Sequence, residues 1–140
     1  MTDEVLVAID AGLRQHIGGD RAGAYATFTA LWASIGPDGD PLHRVALAHH
    51  MADVCDDPAE ELEWDLRALA AAGAMTDSAT ARGFYPSLHL NLGEDYRKLG
   101  DLAAAREQLS LARARLDALC DDDYAAGIRL ALDGLAERLG

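Results

Sequence analysis

The chain has 140 residues and a formal net charge of −12, and half of its residues are apolar. That length suits one domain with a buried core, and the acidic balance argues against nucleic acid as the main partner, because clustered Lys and Arg bind phosphate backbones. No apolar run reaches the roughly 20 residues that cross a bilayer, and acidic residues stand near the start, where a secretory signal carries basic ones. The composition therefore predicts a cytoplasmic protein, a single domain over residues 1–140, that binds neither nucleic acid nor membrane.

The negative charge is concentrated in the first half of the chain. Residues 1–70 hold 4 Lys and Arg against 13 Asp and Glu, whereas residues 71–140 hold 8 against 11. Such a surface can steer a basic partner by long-range attraction, and it can also serve only to keep a small protein in solution. Both interpretations stay open, so a basic partner is one of two alternatives.

The first half of the chain carries the spacing of four helices. The apolar positions of the first two helices are Val5, Ile9, Leu13 and Ile17, then Ala24, Phe28, Leu31 and Ile35. A third helix starts at Pro41 and stops at the sequence CDDPAEE. There Asp57 and Pro58 predict the start of a fourth helix, because Asp caps a helix and Pro suits its first turn. The buried side of this fourth helix is expected to carry Leu62, Leu66 and Leu69.

The second half predicts three more helices and leaves one segment undecided. Residues 76–86 are either an early helical start kinked at Pro86 or a loop. The fifth helix continues through Leu99, and the turn LGD leads to a sixth. The inward positions of the sixth and seventh helices are Ala105, Leu109, Ala112 and Leu116, then Ile128, Leu132, Leu135 and Leu139. Seven helices without a sheet place the chain in the all-α class.

The stretch HLNLGEDYRKLGDLAAAREQL, residues 89–109, contains an ordered set of small and large residues. The tetratricopeptide pattern W-x2-L-G-x2-Y followed by A-x3-F matches it at His89, Leu92, Gly93, Tyr96, Ala105 and Leu109. Gly93 would let the second helix approach the first, and Tyr96 would fill the space between them. The chain therefore resembles the tetratricopeptide repeat (TPR) family, most strongly over residues 86–119.

Weaker copies of the pattern precede this one. Residues 5–38 match at Gly12, Gly19, Ala24 and Phe28, with Gln15 in place of the tyrosine, and residues 41–75 form a looser middle copy. Residues 122–139 are typical of a helix that caps such an array. The chain departs from the family where His89 replaces the signature tryptophan. The resemblance implies a right-handed α-α superhelix of about three helix pairs plus the capping helix.

The resemblance also implies a function, because members of the family bind peptides or proteins in a concave groove lined by the first helix of each pair. The polar residues of the first helices that packing does not use are His43, His50, Asp53, Ser87, Asn91, Glu94, Arg97 and Lys98. We therefore predict a non-enzymatic scaffold that needs no cofactor and binds a peptide or protein segment through these side chains.

Three alternatives use the same residues or surfaces. A small-molecule or catalytic pocket would need six side chains to converge: His43, His50, Asp53, Asn91, Glu94 and Arg97. His50, Asp53 and Glu94 could do acid-base work there, but no catalytic motif is present, so no catalytic residue is assigned. A metal site would need a third ligand beside the histidines, and none is evident, so no metal is assigned. Self-association into a homo-oligomer would cover the apolar ends of a short array.

Cys55 and Cys120 are expected to be buried thiols.

Overall fold

The structure is a computed structural model that describes residues 3–117, 119 and 122–140. Over these residues the chain forms seven α-helices and no β-strand, so the all-α prediction is confirmed. The helices are α1 (Glu4–Ile17), α2 (Arg21–Ile35), α3 (Pro41–Asp53), α4 (Pro58–Gly73), α5 (Ser78–Lys98), α6 (Leu102–Leu116) and α7 (Asp123–Leu139). None of these helices combines the length and the apolar composition that a bilayer crossing needs.

An aspartate caps the start of each of the seven helices. In every case its carboxylate accepts a hydrogen bond from a backbone N–H of the first turn, which has no partner within the helix. The capping residues are Asp3, Asp20, Asp40, Asp57, Asp77, Asp101 and Asp122. Negative charge also complements the positive end of each helix dipole. Part of the acidic excess of this chain is therefore used to begin its helices.

Residues 76–86, undecided from the sequence, belong largely to α5. This helix begins at Ser78 and continues through Pro86, which has no N–H to donate to the preceding turn. In that turn, the carbonyl of Gly83 accepts a hydrogen bond of 3.0 Å from the hydroxyl of Tyr124 on α7. The side chain of another helix thus supplies a donor to the backbone in the turn before the proline.

The contacts divide the chain into an N-terminal unit, Met1–Ala74, and a C-terminal unit, Met75–Gly140. The N-terminal unit contains α1 to α4, and the C-terminal unit contains α5 to α7. The assignment of residues 1–140 to one domain stays a prediction. Cys55 is buried, as expected, whereas Cys120 lies outside the described residues.

Helix α2 of the N-terminal unit runs antiparallel to α1 and to α3. Thr27 on α2 donates a 2.6 Å hydrogen bond to Gln15 on α1, and the ring of Phe28 fills the space beside Gly12. The Arg44 guanidinium of α3 lies 4.1 Å from the ring centre of Trp32, near the end of α2. Because α2 is antiparallel to both of its neighbours, the first helices of the two pairs, α1 and α3, run in the same direction.

Trp64 packs inside the N-terminal unit, and the buried face of α4 differs from the predicted one, since Leu62 and Leu69 are only half-buried. Trp64 is buried and meets Trp32 edge-on at 5.0 Å. Leu66, which was expected inside, is 41% exposed, and the buried positions of α4 also include Ala68, Ala71 and Ala72. Small side chains allow two helix backbones to approach closely, so the alanines face the neighbouring helices and Leu66 faces outward.

The C-terminal unit repeats this arrangement with α5, α6 and α7. Arg115 of α6 lies over Tyr85 near the start of α5, and Gln108 pairs with His89 one turn later, so α5 and α6 are antiparallel. Arg106, near the start of α6, donates to the carbonyl of Leu139 at the end of α7, so α6 and α7 are also antiparallel. It follows that α5 and α7 run in the same direction.

Most packing residues of the stretch 89–109 are buried, but Gly93 does not serve the contact with α6 that was predicted for it. Leu92, Ala105 and Leu109 are buried, and Tyr96 packs at the edge of the core formed by α6 and α7. Gly100 has a φ of +84°, a left-handed conformation that L side chains rarely adopt, and it makes the turn between α5 and α6. A Cβ atom on Gly93 would lie 2.7 Å from Leu135 of α7 but 3.6 Å from the backbone of α6. The glycine therefore makes room mainly for α7.

Candidate recognition surfaces

His43, at the start of α3, is joined to the start of α1. Its Nε2 lies 2.8 Å from a carboxylate oxygen of Asp3, the residue that caps α1. The hydrogen bond from His43, with a second from the backbone N–H of Leu6, lowers the pKa of Asp3. His43 thus connects the first helices of the two pairs in the N-terminal unit.

His50 is half-buried among the helices of the N-terminal unit. Its ring stacks on Phe28 with ring centres 6.5 Å apart, and the ring of His49 lies 5.3 Å away. Burial, together with the neighbouring His49, lowers the pKa of His50 to about 4. His50 is therefore neutral at physiological pH, and it is the histidine of this pair that fills space between helices.

The pKa of His50 makes stability depend on pH. Above pH 6.5 the side chain is neutral in both the folded and the unfolded chain, so its contribution to stability is complete. Between pH 6.5 and about 4 the unfolded chain binds a proton that the folded chain does not, so stability falls as pH falls. We expect a loss of about 1–3 kcal/mol, because the ring is only partly buried.

Urea unfolding of the wild type and of His50→Gln, measured at about pH 7 and about pH 4.5, tests this dependence. The variant should lose less stability on acidification than the wild type. Equal losses in the two proteins would show that other groups dominate the acid sensitivity.

The three N-terminal residues assigned to the recognition surface have different surroundings. His43 and His50 are seven residues apart, which is about 10 Å along a helix. Asp53 is exposed at the end of α3, and its backbone carbonyl accepts a 3.3 Å hydrogen bond from Arg21. Within residues 3–117, 119 and 122–140, no three His, Cys, Asp or Glu side chains are placed to hold a metal ion.

The C-terminal residues assigned to the surface form a polar stripe along α5. Ser87, Asn91, Glu94 and Lys98 follow one another at spacings of four, three and four residues, which keeps them on one side of a helix. The first three are half-buried and Lys98 is exposed. Asp95, which follows Glu94, is almost completely buried. Adjacent residues of a helix point in different directions, so the two carboxyl groups lie on different faces.

Helix α7 lies beside this stripe and adds two polar side chains to it. The hydroxyl of Tyr124, at the start of α7, lies 3.4 Å from the Oγ of Ser87, and Arg138, at its end, forms an ion pair with Glu94. Tyr124 and Arg138 were not predicted from the sequence, because α7 was expected only to cap the array. The order of the helices could have indicated them. Because α5 and α7 are separated by one antiparallel helix, they run in the same direction, so the start of α7 lies near the first half of α5 and the end of α7 lies near the end of α5.

Glu94 is the centre of a cluster of charges. Arg97 donates from Nε to one carboxylate oxygen at 3.0 Å, while Arg138 binds the other oxygen. Burial by itself raises the pKa of Glu94, but the hydrogen bonds from Arg138 and Arg97 outweigh it and hold that pKa below its usual value. The side chains of Glu94, Arg97 and Arg138 are 22%, 30% and 48% exposed. Two guanidinium groups on one carboxylate leave a surplus positive charge at the surface of an acidic protein.

This geometry disfavours Glu94 as an acid or base in catalysis. Both of its oxygens already accept hydrogen bonds from arginines, and its lowered pKa weakens it as a base. A carboxylate bound by two arginines is better suited to hold their guanidinium groups in place. We name the surface around Glu94, Arg97 and Arg138 the α5–α7 surface.

Comparison with models of known protein families found no match. Searches among curated proteins and among solved structures likewise found no similar chain.

Proposed function

We propose that this chain is a TPR-like scaffold that binds a peptide or protein segment through polar residues on the first helices of its pairs. The direction of the helices supports this proposal. Helices α1 and α3 run in the same direction, as do α5 and α7, and α2 and α6 are antiparallel to the helices on either side of them, as a stack of helix pairs requires. The proposed architecture is a right-handed superhelix of about three pairs, with α7 as the final helix.

The main support for the proposal is the cluster of Glu94 with two arginines on the α5–α7 surface. Glu94 holds the guanidinium groups of Arg97 and Arg138, and part of each guanidinium remains exposed. Arginine has five N–H donors, so each of these side chains keeps donors for the carbonyl or carboxylate groups of a bound peptide. Positioning by Glu94 reduces the entropy that the arginines lose on binding. His43, His50 and Asp53 on α3 are assigned to the same function in the N-terminal unit.

Peptides selected on the wild-type protein from a random-peptide display library would test this function. Binding of a selected peptide is then measured by fluorescence anisotropy for Arg97→Ala and Arg138→Ala. We expect each variant to weaken binding about tenfold or more, because a hydrogen bond to a charged group contributes about 1.5–3 kcal/mol. Far-UV circular dichroism should show unchanged helix content.

Arg82→Ala provides the matched control, since Arg82 is an exposed arginine on the same helix but outside the polar stripe. It should change the affinity less than about twofold. If the selected peptides bind the Arg97 and Arg138 variants as tightly as the Arg82 variant, the α5–α7 surface is not the binding site.

A further inference from the structure

A second surface lies between the second helices of the N-terminal unit, where α2 and α4 begin. It is an open cavity of about 550 Å³, which we name the α2–α4 groove. Its lining residues are Arg21, Ala22, Tyr25, Val54, Asp56, Asp57 and Glu60. These residues belong to second helices and to the turn between α3 and α4, so the groove is separate from the polar faces of the first helices proposed above.

The groove combines apolar contact surface with carboxylates. Val54 and Tyr25 both line it; Val54 is almost completely buried, whereas Tyr25 is 38% exposed and supplies apolar surface. Glu60 accepts a 3.1 Å hydrogen bond from the thiol of Cys55, and a hydrogen bond between Tyr25 and Glu60 raises the pKa of the tyrosine. These contacts hold Glu60 in position, while the Asp56 side chain is 82% exposed.

A guanidinium group of the chain itself already occupies part of this groove. Arg21 forms an ion pair with the Asp56 carboxylate through Nη1 and donates through Nη2 to the backbone carbonyl of Asp53 at 3.3 Å. A carboxylate and a carbonyl are thus arranged to receive the forked donors of one arginine. Half of the Arg21 side chain remains exposed, so an incoming cation can reach its partners.

The charge of the N-terminal unit favours a cationic ligand. Its 13 acidic residues face only 4 arginines, and all four contact groups of the same unit. Those arginines and their partners are Arg14 with Asp10, Arg21 with Asp56, Arg44 with Trp32, and Arg67 with Trp64. The remaining negative charge would attract a basic segment over several ångströms and orient it at the surface.

From these observations we propose that the α2–α4 groove binds a basic peptide segment. An Arg or Lys side chain of the peptide replaces Arg21 at Asp56 and at the Asp53 carbonyl. Its aliphatic stem lies along the exposed part of the Tyr25 ring, as long basic side chains do on apolar surfaces. Arg21 is thus an internal competitor that the peptide displaces. This inference does not depend on the function proposed for the first helices.

Fluorescence anisotropy with a labelled Arg-Ala peptide, and with a Glu-Ala peptide of equal length, tests the proposal on the full chain. The basic peptide should bind the wild type and the acidic one should not. Asp56→Asn and Glu60→Gln should each weaken binding about tenfold, whereas Asp38→Asn, which removes the same charge outside the groove, should change it less than about twofold. If all three substitutions have equal effects, or if the basic peptide does not bind, the groove is not a specific site.

The competition by Arg21 has its own test. Arg21→Gln should strengthen binding of the Arg-Ala peptide by about three- to tenfold, because the peptide no longer has to displace a resident cation. Arg14→Gln removes the same charge from α1, outside the groove, and should have a smaller effect. If Arg21→Gln weakens binding, or changes it no more than Arg14→Gln, displacement of Arg21 is overturned. Circular dichroism of each variant separates these outcomes from unfolding.

Discussion

Replacing Phe28 by Ala is expected to lower the free energy of unfolding by about 3–5 kcal/mol. The ring of Phe28 is fully buried, occupies the space beside Gly12, and stacks on His50. Its removal exposes apolar surface and leaves a cavity between α1, α2 and α3, which the helices can close only by shifting against each other. This is the largest single-residue effect that we expect in the N-terminal unit.

Tryptophan fluorescence during urea unfolding reports on the N-terminal unit, which contains Phe28. Both tryptophans, Trp32 and Trp64, belong to the N-terminal unit, and their rings pack against each other. The urea midpoint measured by this fluorescence should therefore be lower for Phe28→Ala than for the wild type. Ile17→Ala is the control, because Ile17 is 86% exposed and its truncation should cost less than about 0.5 kcal/mol.

A second substitution tests whether Gly12 and Phe28 act as a pair. A methyl group on Gly12 would overlap the Phe28 ring. Gly12→Ala should therefore destabilise the wild type, and it should cost less in the Phe28→Ala background, where the overlap is gone. Equal costs in the two backgrounds would show that the contact between α1 and α2 is not the constraint on Gly12.

Gly93→Leu is expected to destabilise the C-terminal unit by about 1–3 kcal/mol or more. A Cβ atom at this position already lies 2.7 Å from Leu135, which is fully buried, so the rest of a leucine side chain has no space between α5 and α7. The substitution should separate these helices and loosen the core of the unit. Far-UV circular dichroism during urea or thermal unfolding would record the loss.

Gly127→Leu is the matched control for this substitution. Gly127 lies in the interior of α7, and a Cβ atom there would meet nothing within 4 Å. Leucine favours the helix over glycine by up to about 1 kcal/mol, so the control should be neutral or more stable than the wild type. The difference between the two variants isolates the packing cost. Equal melting of Gly93→Leu and Gly127→Leu would show that the contact between Gly93 and Leu135 does not constrain the fold.

The local features of the fold could be read from the sequence because they depend on near neighbours along the chain. Asp57 before Pro58 predicted the start of α4, since a cap acts within its own helical turn. The pattern Leu92, Gly93 and Ala105 predicted buried positions, because helical spacing places them on one face. Whether the helix continues through Pro86 was not decidable, because contacts that hold this segment come from far along the chain, such as the hydrogen bond from Tyr124 to the Gly83 carbonyl, 41 residues away.

The candidate recognition surfaces show the same division. The sequence by itself determined which polar residues of α5 remain after packing, including Glu94 and Arg97. Only the tertiary structure placed Arg138 on Glu94, and only it placed Arg21 on Asp56 in the α2–α4 groove. Spacing along one helix follows from backbone geometry, whereas a contact between helices depends on their direction and closeness, which the packing of small residues such as Gly93 and Ala68 decides.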